Sequence, residues 1–215
     1  MLVILDGTIL NSTLTSLMEG LQAGIAAAEK KGTLIIEVKA DGAAVGNEVL
    51  SGEKEHTGQV ARLEMVSVFP RELMAQTLRN AAGALDEVEP KRELAAEKIA
   101  QGELQEAMNE LQVVLTAWQT VQSITEKGGQ LLGEDLTQAH LKGIDAKTPV
   151  ADCIGALRHV LGELNAALAE QDWSRLGDIV AYDLDALARD WKVVLGALAD
   201  HVEVSSQEGQ KGEIT

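Results

Sequence analysis

The N-terminus holds the first candidate for chemistry, because an apolar run there leads directly into a carboxylate. The chain begins MLVILDGTILNSTL, in which Leu2–Leu5 is followed by Asp6, Gly7 and Thr8. A carboxylate at the end of a strand can serve as a nucleophile, a general acid or a ligand to Mg²⁺. The competing interpretation is structural, since Asp-Gly pairs are also common in tight turns.

The stretch LVILDGTILNSTL resembles the start of haloacid-dehalogenase-type phosphohydrolases. The resemblance implies the pattern Asp-x-Asp-Gly-Thr, in which the first Asp attacks phosphorus and the second protonates the leaving group. Here the first of these positions is Ile4, which has no nucleophilic or metal-binding atom. The covalent step cannot occur by that route. We therefore predict a short strand, Leu2–Leu5, that ends in an Asp-Gly turn.

Five aspartates form the densest acidic cluster: Asp172, Asp178, Asp183, Asp185 and Asp190. Their repeated spacing of seven residues predicts two acidic rows on one helix. Arg175 and Arg189 stand three residues before Asp178 and four residues after Asp185, which favours surface ion pairs. The predicted bundle, 70–204, contains no Glu-x-x-His motif of the kind that dinuclear helical bundles carry. We therefore predict a solvated helix face and no bound metal or other cofactor.

The histidines and the single cysteine form no recognisable catalytic motif. His56, His140, His159 and His201 have no hydrolase spacing to a Ser, Cys or Asp, although catalytic triads are spatial and need no fixed order. His159 is expected to be packed or half-buried, and Cys153 to be a small buried hydrophobic residue. A single cysteine also excludes an internal disulfide. No catalytic residue is predicted from these types and spacings.

The large aromatic side chains are scarce, since aromatic residues make up only 2% of the chain. Such residues either anchor a core or dominate a binding surface. Trp173 follows Asp172, a predicted N-cap, at the start of a helix, and is expected to be the most exposed of the three tryptophans. Tyr182 follows on the same helix. The predicted partner-binding residues are Trp173, Tyr182, Trp191 and Trp118.

The net charge of −16 limits the partners that the surface can attract. An acidic surface repels nucleic acid and anionic lipid headgroups, so neither is predicted as a partner. Another protein, with a helical or disordered segment of basic character, fits better. The sequence shows neither a signal-peptide pattern nor an apolar run long enough to span a membrane, which predicts a cytoplasmic protein.

The hydrophobic patterns predict an α+β protein with a small N-terminal β-sheet and one crossing helix, followed by an antiparallel helical bundle. We place a small α/β module at 1–69, the bundle at 70–204 and a disordered tail at 205–215. In the module, strands at Leu2–Leu5 and near 34–40 and 60–69 surround a helix. That helix is capped by Ser12 or Thr13 and stopped by Gly32. A further short strand is expected around Val45–Leu50.

The remaining chain is predicted to be helical, with a restart at Pro90 and a stop at Gly128 and Gly129. Its two halves hint at an internal duplication, because Leu111 precedes Trp118 and Leu184 precedes Trp191 by seven residues. Seven residues are two helical turns, so each Leu and its Trp should share a face.

The segments IAQGELQEAMNELQVV, TEKGGQL and LAEQDWSRLGDIV resemble flagellar export chaperones of the FliS type over residues 92–200. The resemblance implies a small helical bundle that holds a disordered segment of another protein. We therefore expect a non-enzymatic interaction module, either an adaptor or an export-chaperone-like protein. The alternatives are an enzyme with a site in the cleft between the α/β module and the bundle, and a homodimer that covers its leftover apolar faces.

Overall fold

The computed structural model describes residues 1–11, 14–51, 53–54, 58–139 and 150–211. The chain divides into two compact units, Met1–Leu73 and Met74–Thr215. The first unit contains a five-stranded sheet, and the second is helical. The α+β class, with a small sheet and its helix followed by an antiparallel bundle, is confirmed. The division after Leu73 lies close to the predicted boundary between 69 and 70.

The sheet of the first unit has the strand order β2-β1-β5-β3-β4. Its strands are β1 (Leu2–Leu5), β2 (Thr8–Asn11), β3 (Leu34–Ala40), β4 (Ala43–Ala44) and β5 (Arg62–Val68). The central pair β1 and β5 is parallel, and the other three pairs are antiparallel. The parallel pair needs a crossover connection, which contains α1 (Leu17–Lys31) and β3.

Helix α1 covers one face of this sheet. Leu21 and Ala28 of the helix are buried together with Val3, Leu63 and Met65 of the strands. The helix begins at the N-cap Ser16, whose hydroxyl accepts a hydrogen bond from the Glu19 amide at 3.2 Å. The predicted cap was wrong, and its residues Ser12 and Thr13 lie outside the described part of the chain. Gly32 ends the helix with φ at 67°, as predicted.

The strand predicted around Val45–Leu50 is not formed. Asp41 and Gly42 both have positive φ, 48° and 86°, and make a two-residue turn that reverses the chain at once. Its return strand is therefore β4, immediately after the turn. After Gly46 the chain forms the short helix α2 (Asn47–Leu50). Strand β2 was also missed by the sequence analysis, for the same reason: it follows directly on the Asp6-Gly7 turn.

The second unit is an antiparallel bundle, whose helical segments are α3 (Pro70–Gln101), α4 (Leu104–Leu132), α5 (Val150–Glu170), α6 (Trp173–Asp178) and α7 (Leu184–Lys211). A 3₁₀ turn, Leu136–Gln138, follows α4, and a π-helical turn, Ile179–Asp183, joins α6 to α7. Ion pairs set the register of α3 and α7. Arg79 pairs with Glu203 at 2.5 Å, and Asp86 pairs with Lys192 at 2.6 Å. Because later residues of α3 meet earlier residues of α7, the two helices run antiparallel.

Two predicted helix ends are wrong. Helix α3 continues through Pro90, because Leu85 on one side of it and Ala95 and Ile99 on the other are buried in the same core. This burial offsets the roughly 3 kcal/mol that an internal proline costs. Helix α4 continues through Gly128 and Gly129 and ends at Gly133, which has φ at 68°. A Cβ atom on Gly129 would lie 2.2 Å from the carbonyl oxygen of Glu134, so glycine here serves close packing.

The core of the bundle contains the two Leu–Trp pairs suggested by the duplication. Leu111, Trp118, Leu184 and Trp191 are all buried in one cluster. The rings of Trp118 and Trp191 meet edge to face, with centroids 6.4 Å apart and an interplanar angle of 82°. Helix α7 continues to Lys211, into the segment predicted as a tail at 205–215, and 212–215 lie outside the described residues. Within the described ranges, no helix is long and apolar enough to cross a membrane.

Candidate functional site

The Asp6 carboxylate is used entirely to hold the sheet together. One oxygen accepts the Ser67 amide at 2.7 Å, and the other accepts the Ser67 hydroxyl at 2.8 Å and the Lys31 ammonium at 3.3 Å. With φ of 51° and 76°, Asp6 and Gly7 form the same kind of hairpin turn as the later Asp-Gly pair. The motif is a turn whose first residue joins β1 to β5, in agreement with the structural interpretation.

Asp6→Asn is expected to destabilise the first unit by about 1 kcal/mol at neutral pH, because the amide keeps the turn but loses the charge-assisted hydrogen bonds. The backbone hydrogen bond from Ser67 is the main reason why the pKa of Asp6 lies below its ordinary value. The carboxylate therefore stabilises the fold fully above its unfolded-state pKa. That stabilisation is lost as the pH falls through the lower folded-state pKa.

Amide hydrogen exchange of β1 and β5 measures this effect in wild type and Asp6→Asn. The difference in protection should be largest at neutral pH and should close as the pH falls below the folded-state pKa of Asp6. A difference that stays constant across the titration would show that the carboxylate charge is not its source.

The candidate acidic, histidine and cysteine side chains that the structure describes do not converge on one point. Within the described residues, no group of three or more His, Cys, Asp or Glu side chains could hold a metal ion. His159 is exposed, not packed, because it lies on the solvent side of α5. Cys153 is half-buried, and burial raises the pKa of its thiol. His56 and His140 lie outside the described residues.

The four predicted partner-binding residues separate into two pairs. Trp118 and Trp191 are each only 1% exposed, so the prediction that they contact a partner is wrong for this fold. Both rings are part of the bundle core, which they fill together with Leu, Val and Ala side chains. Tyr182 is 70% exposed and Trp173 is half-buried. These two side chains line the same groove.

This groove, called the aromatic groove below, lies between the end of α3 and the segment that runs from α6 into the π-helical turn. Its volume is about 420 Å³. Its lining consists of Ala96, Ile99 and Ala100 on α3, and of Trp173, Ser174, Gly177, Asp178, Ala181 and Tyr182 on the facing segment. Most of the lining side chains are small, so the backbone of a bound segment could approach closely.

The π-helical turn sets the position of Tyr182. A turn of this kind widens the helix by shifting its hydrogen bonds from i+4 to i+5, and such turns are frequent at functional sites. The guanidinium of Arg92 holds the turn from α3. Its Nη1 donates to the carbonyl oxygens of Val180 at 3.0 Å and Ala181 at 2.9 Å. The two residues immediately before Tyr182 are thereby fixed to a neighbouring helix.

Arg92 is itself enclosed, being 7% exposed. Its Nε and Nη2 donate to the carboxylate of Glu89, one turn earlier on α3. The carboxylate of Asp185 lies 3.5 Å from Nη2. Two acidic groups therefore balance the buried charge, which would otherwise be costly to remove from water. The hydrogen bonds with Glu89 are the main cause of a raised pKa for Arg92.

The ion pairs around the groove differ from the predicted set in one respect. Arg189 pairs with Asp185 at 2.9 Å, as its spacing predicts. Arg175, however, pairs with Glu163 and Glu170 of α5, not with Asp178. Its hydrogen bond to Glu163 lowers the pKa of that carboxyl. Asp178 lines the aromatic groove and takes part in none of the ion pairs found among the described residues.

A second groove lies within the first unit, between α1 and β3. Its volume is about 460 Å³. Met18, Ile25, Leu34 and Leu50 line it and are exposed. The lining offers apolar contact with few polar groups. It therefore indicates less about the chemistry of a bound molecule than the lining of the aromatic groove does.

Sequence reasoning identified Trp173 and Tyr182 but missed Arg92, Asp178 and the small residues of α3. Nothing in the local sequence marks Arg92, because its partners at 180 and 181 are distant along the chain.

The comparisons with known proteins bear on the helical unit. The family model described as Domain of unknown function (DUF8042) matches residues 76–194, which include every residue of the aromatic groove and Arg92. Neither the curated proteins nor the solved structures contain a match to the chain. Since the matched residues make up more than half of the 215, the chain belongs to the DUF8042 family.

Proposed function

We propose that this protein is a non-enzymatic interaction module that binds a segment of another protein in the aromatic groove. The observation that carries the proposal is Tyr182, a large side chain that is 70% exposed although the turn beneath it is fixed by a buried arginine. An ordered, exposed tyrosine is favourable for binding, because little conformational freedom is lost when it makes contact.

The shape of the groove supports a peptide segment as its occupant. Trp173 and Tyr182 offer aromatic area, and Ala96, Ala100 and Gly177 are small residues of the same lining. Grooves between helices that combine large anchors with small residues suit an amphipathic helix or an extended chain. An adaptor or an export-chaperone-like protein of the cytoplasm would work in this way.

The charge of the helical unit supports a basic partner. Residues 74–215 carry 24 acidic and 12 basic side chains, a net charge of −12, whereas residues 1–73 carry −4. Complementary charge raises the association rate and excludes acidic competitors. The acidic unit is thus suited to a segment of basic character.

Site-specific photo-crosslinking in the cells that make this protein tests the proposal. Tyr182 is replaced by p-benzoyl-phenylalanine in the full chain, and irradiated products are identified by mass spectrometry. The matched control places the same group at Val193, which is exposed on α7 and does not line the groove. We expect one defined adduct from position 182 that is absent at position 193.

A captured segment counts as support only if a synthetic peptide of its sequence binds wild type and loses affinity for Tyr182→Ala. The proposal would be contradicted by equal adducts from both positions, or by a peptide that binds wild type and Tyr182→Ala with the same affinity. An adduct between two copies of this chain would instead assign the groove to a homodimer.

A further inference from the structure

We infer that the aromatic groove contains a site for one basic side chain of the bound segment, formed by Asp178 with Tyr182 and Trp173. The inference rests on the proposed function and specifies what the groove recognises: an Arg or Lys side chain carried on a segment of small residues.

Asp178 supplies the charge of this site. It is exposed in the groove, and Arg175, the basic residue nearest to it along the helix, is held by Glu163 and Glu170 of α5. Among the described residues that line the groove, none is basic. The carboxylate is therefore placed to accept a donor from outside. A charge-assisted hydrogen bond to a guanidinium or ammonium group is stronger than one to a neutral donor.

The aromatic rings supply the second half of the site. Cations are attracted to the faces of Trp and Tyr rings, and Arg side chains make this contact more often than Lys side chains. Asp178 and Tyr182 are four residues apart on the same helical segment and line the same groove. A carboxylate beside an exposed ring binds a cationic group in two ways at once, by charge and by its contact with the ring.

The small lining residues favour a cation that is carried on a segment of small residues. Ala96, Ala100, Gly177 and Ala181 line the groove together with the aromatic groups. Small side chains on the protein let the backbone of a bound segment approach closely, which favours small residues on either side of the Arg or Lys. The preferred ligand thus has one basic residue flanked by Ala, Gly or Ser.

A phage-displayed library of random linear peptides, selected against the full-length protein, tests this inference. Wild type is compared with Asp178→Asn and with the matched control Asp183→Asn. The control removes the same charge from an exposed residue of the adjoining π-helical turn that does not line the groove. Tyr182→Ala identifies the clones that bind in the groove. The best clone is then synthesised with its basic residue intact and replaced by Gln, and both peptides are titrated calorimetrically.

We expect groove-binding clones to be enriched in one Arg or Lys, and the Gln peptide to bind about tenfold more weakly, a factor typical of one good charged contact. Asp178→Asn should remove this preference, and Asp183→Asn should keep it. If the groove-binding clones showed no preference for Arg or Lys, the inference of a cation site would be contradicted, and the proposed function would still stand. If no selected clone depended on Tyr182, both proposals would fail.

Discussion

Arg92→Met is expected to lower the free energy of unfolding of the helical unit by about 3 kcal/mol. Methionine keeps much of the apolar stem but removes every donor of the guanidinium. The carbonyl oxygens of Val180 and Ala181 then lose a partner, and Glu89 and Asp185 face each other without the cation between them. Breaking a buried ion pair costs about 3–5 kcal/mol. We expect the lower end of that range because both carboxylates are partly hydrated.

Urea unfolding followed by tryptophan fluorescence measures this loss, because all three tryptophans belong to the helical unit. Arg79→Met is the matched control, since Arg79 lies on the same helix and pairs with Glu203 and Asp200 at the surface. Surface pairs contribute little to stability, so the control should unfold close to wild type. If Arg92→Met and Arg79→Met unfolded at the same urea concentration, Arg92 would not be what stabilises the π-helical turn.

Trp118→Ala is expected to cost about 3–5 kcal/mol, the range for truncating a fully buried large aromatic residue. The ring is enclosed in the bundle core and contacts Trp191 edge to face at 6.4 Å. Its removal leaves a cavity that neighbouring Leu and Val side chains cannot fill without moving. The loss also includes the edge-to-face contact, which adds about 0.5–1.5 kcal/mol beyond the burial itself.

Far-UV circular dichroism during urea unfolding measures this cost without depending on the deleted fluorophore. Val113→Ala provides a control on the same helix, because Val113 is exposed. It should change stability by less than about 0.5 kcal/mol. Tyr182→Ala should behave like this control, since its ring is mostly in solvent. If Trp118→Ala were as mild as Val113→Ala, Trp118 could not be a core anchor.

The fold class was predictable because its signals are local and repeated. Strands β1, β3 and β5 follow from short apolar runs, and both Asp-Gly pairs form the turns that their composition indicates. The long helices follow from regular apolar spacing. Helix ends were less predictable, because Pro90 lies between residues buried in the bundle core and Gly128 lies against the distant Met74, and this packing outweighs their local tendency to end a helix.

The site was only partly predictable, for a related reason. A rare aromatic residue can serve a core or a surface, and spacing alone does not separate the two. The seven-residue interval between Leu111 and Trp118 did indicate a core position for Trp118, since it places Trp118 on the same buried face as Leu111. The π-helical turn had no sequence signal, because it is stabilised from α3 by Arg92. Tyr182 owes its position to that distant contact.

The most direct test of the account is the affinity of the segment crosslinked at position 182 for three forms of the full-length protein. We predict that Tyr182→Ala weakens binding at least about tenfold, the loss typical of a central aromatic contact, while Val193→Ala changes it by less than about twofold. Equal dissociation constants for wild type, Tyr182→Ala and Val193→Ala would contradict the claim that the aromatic groove is the binding site.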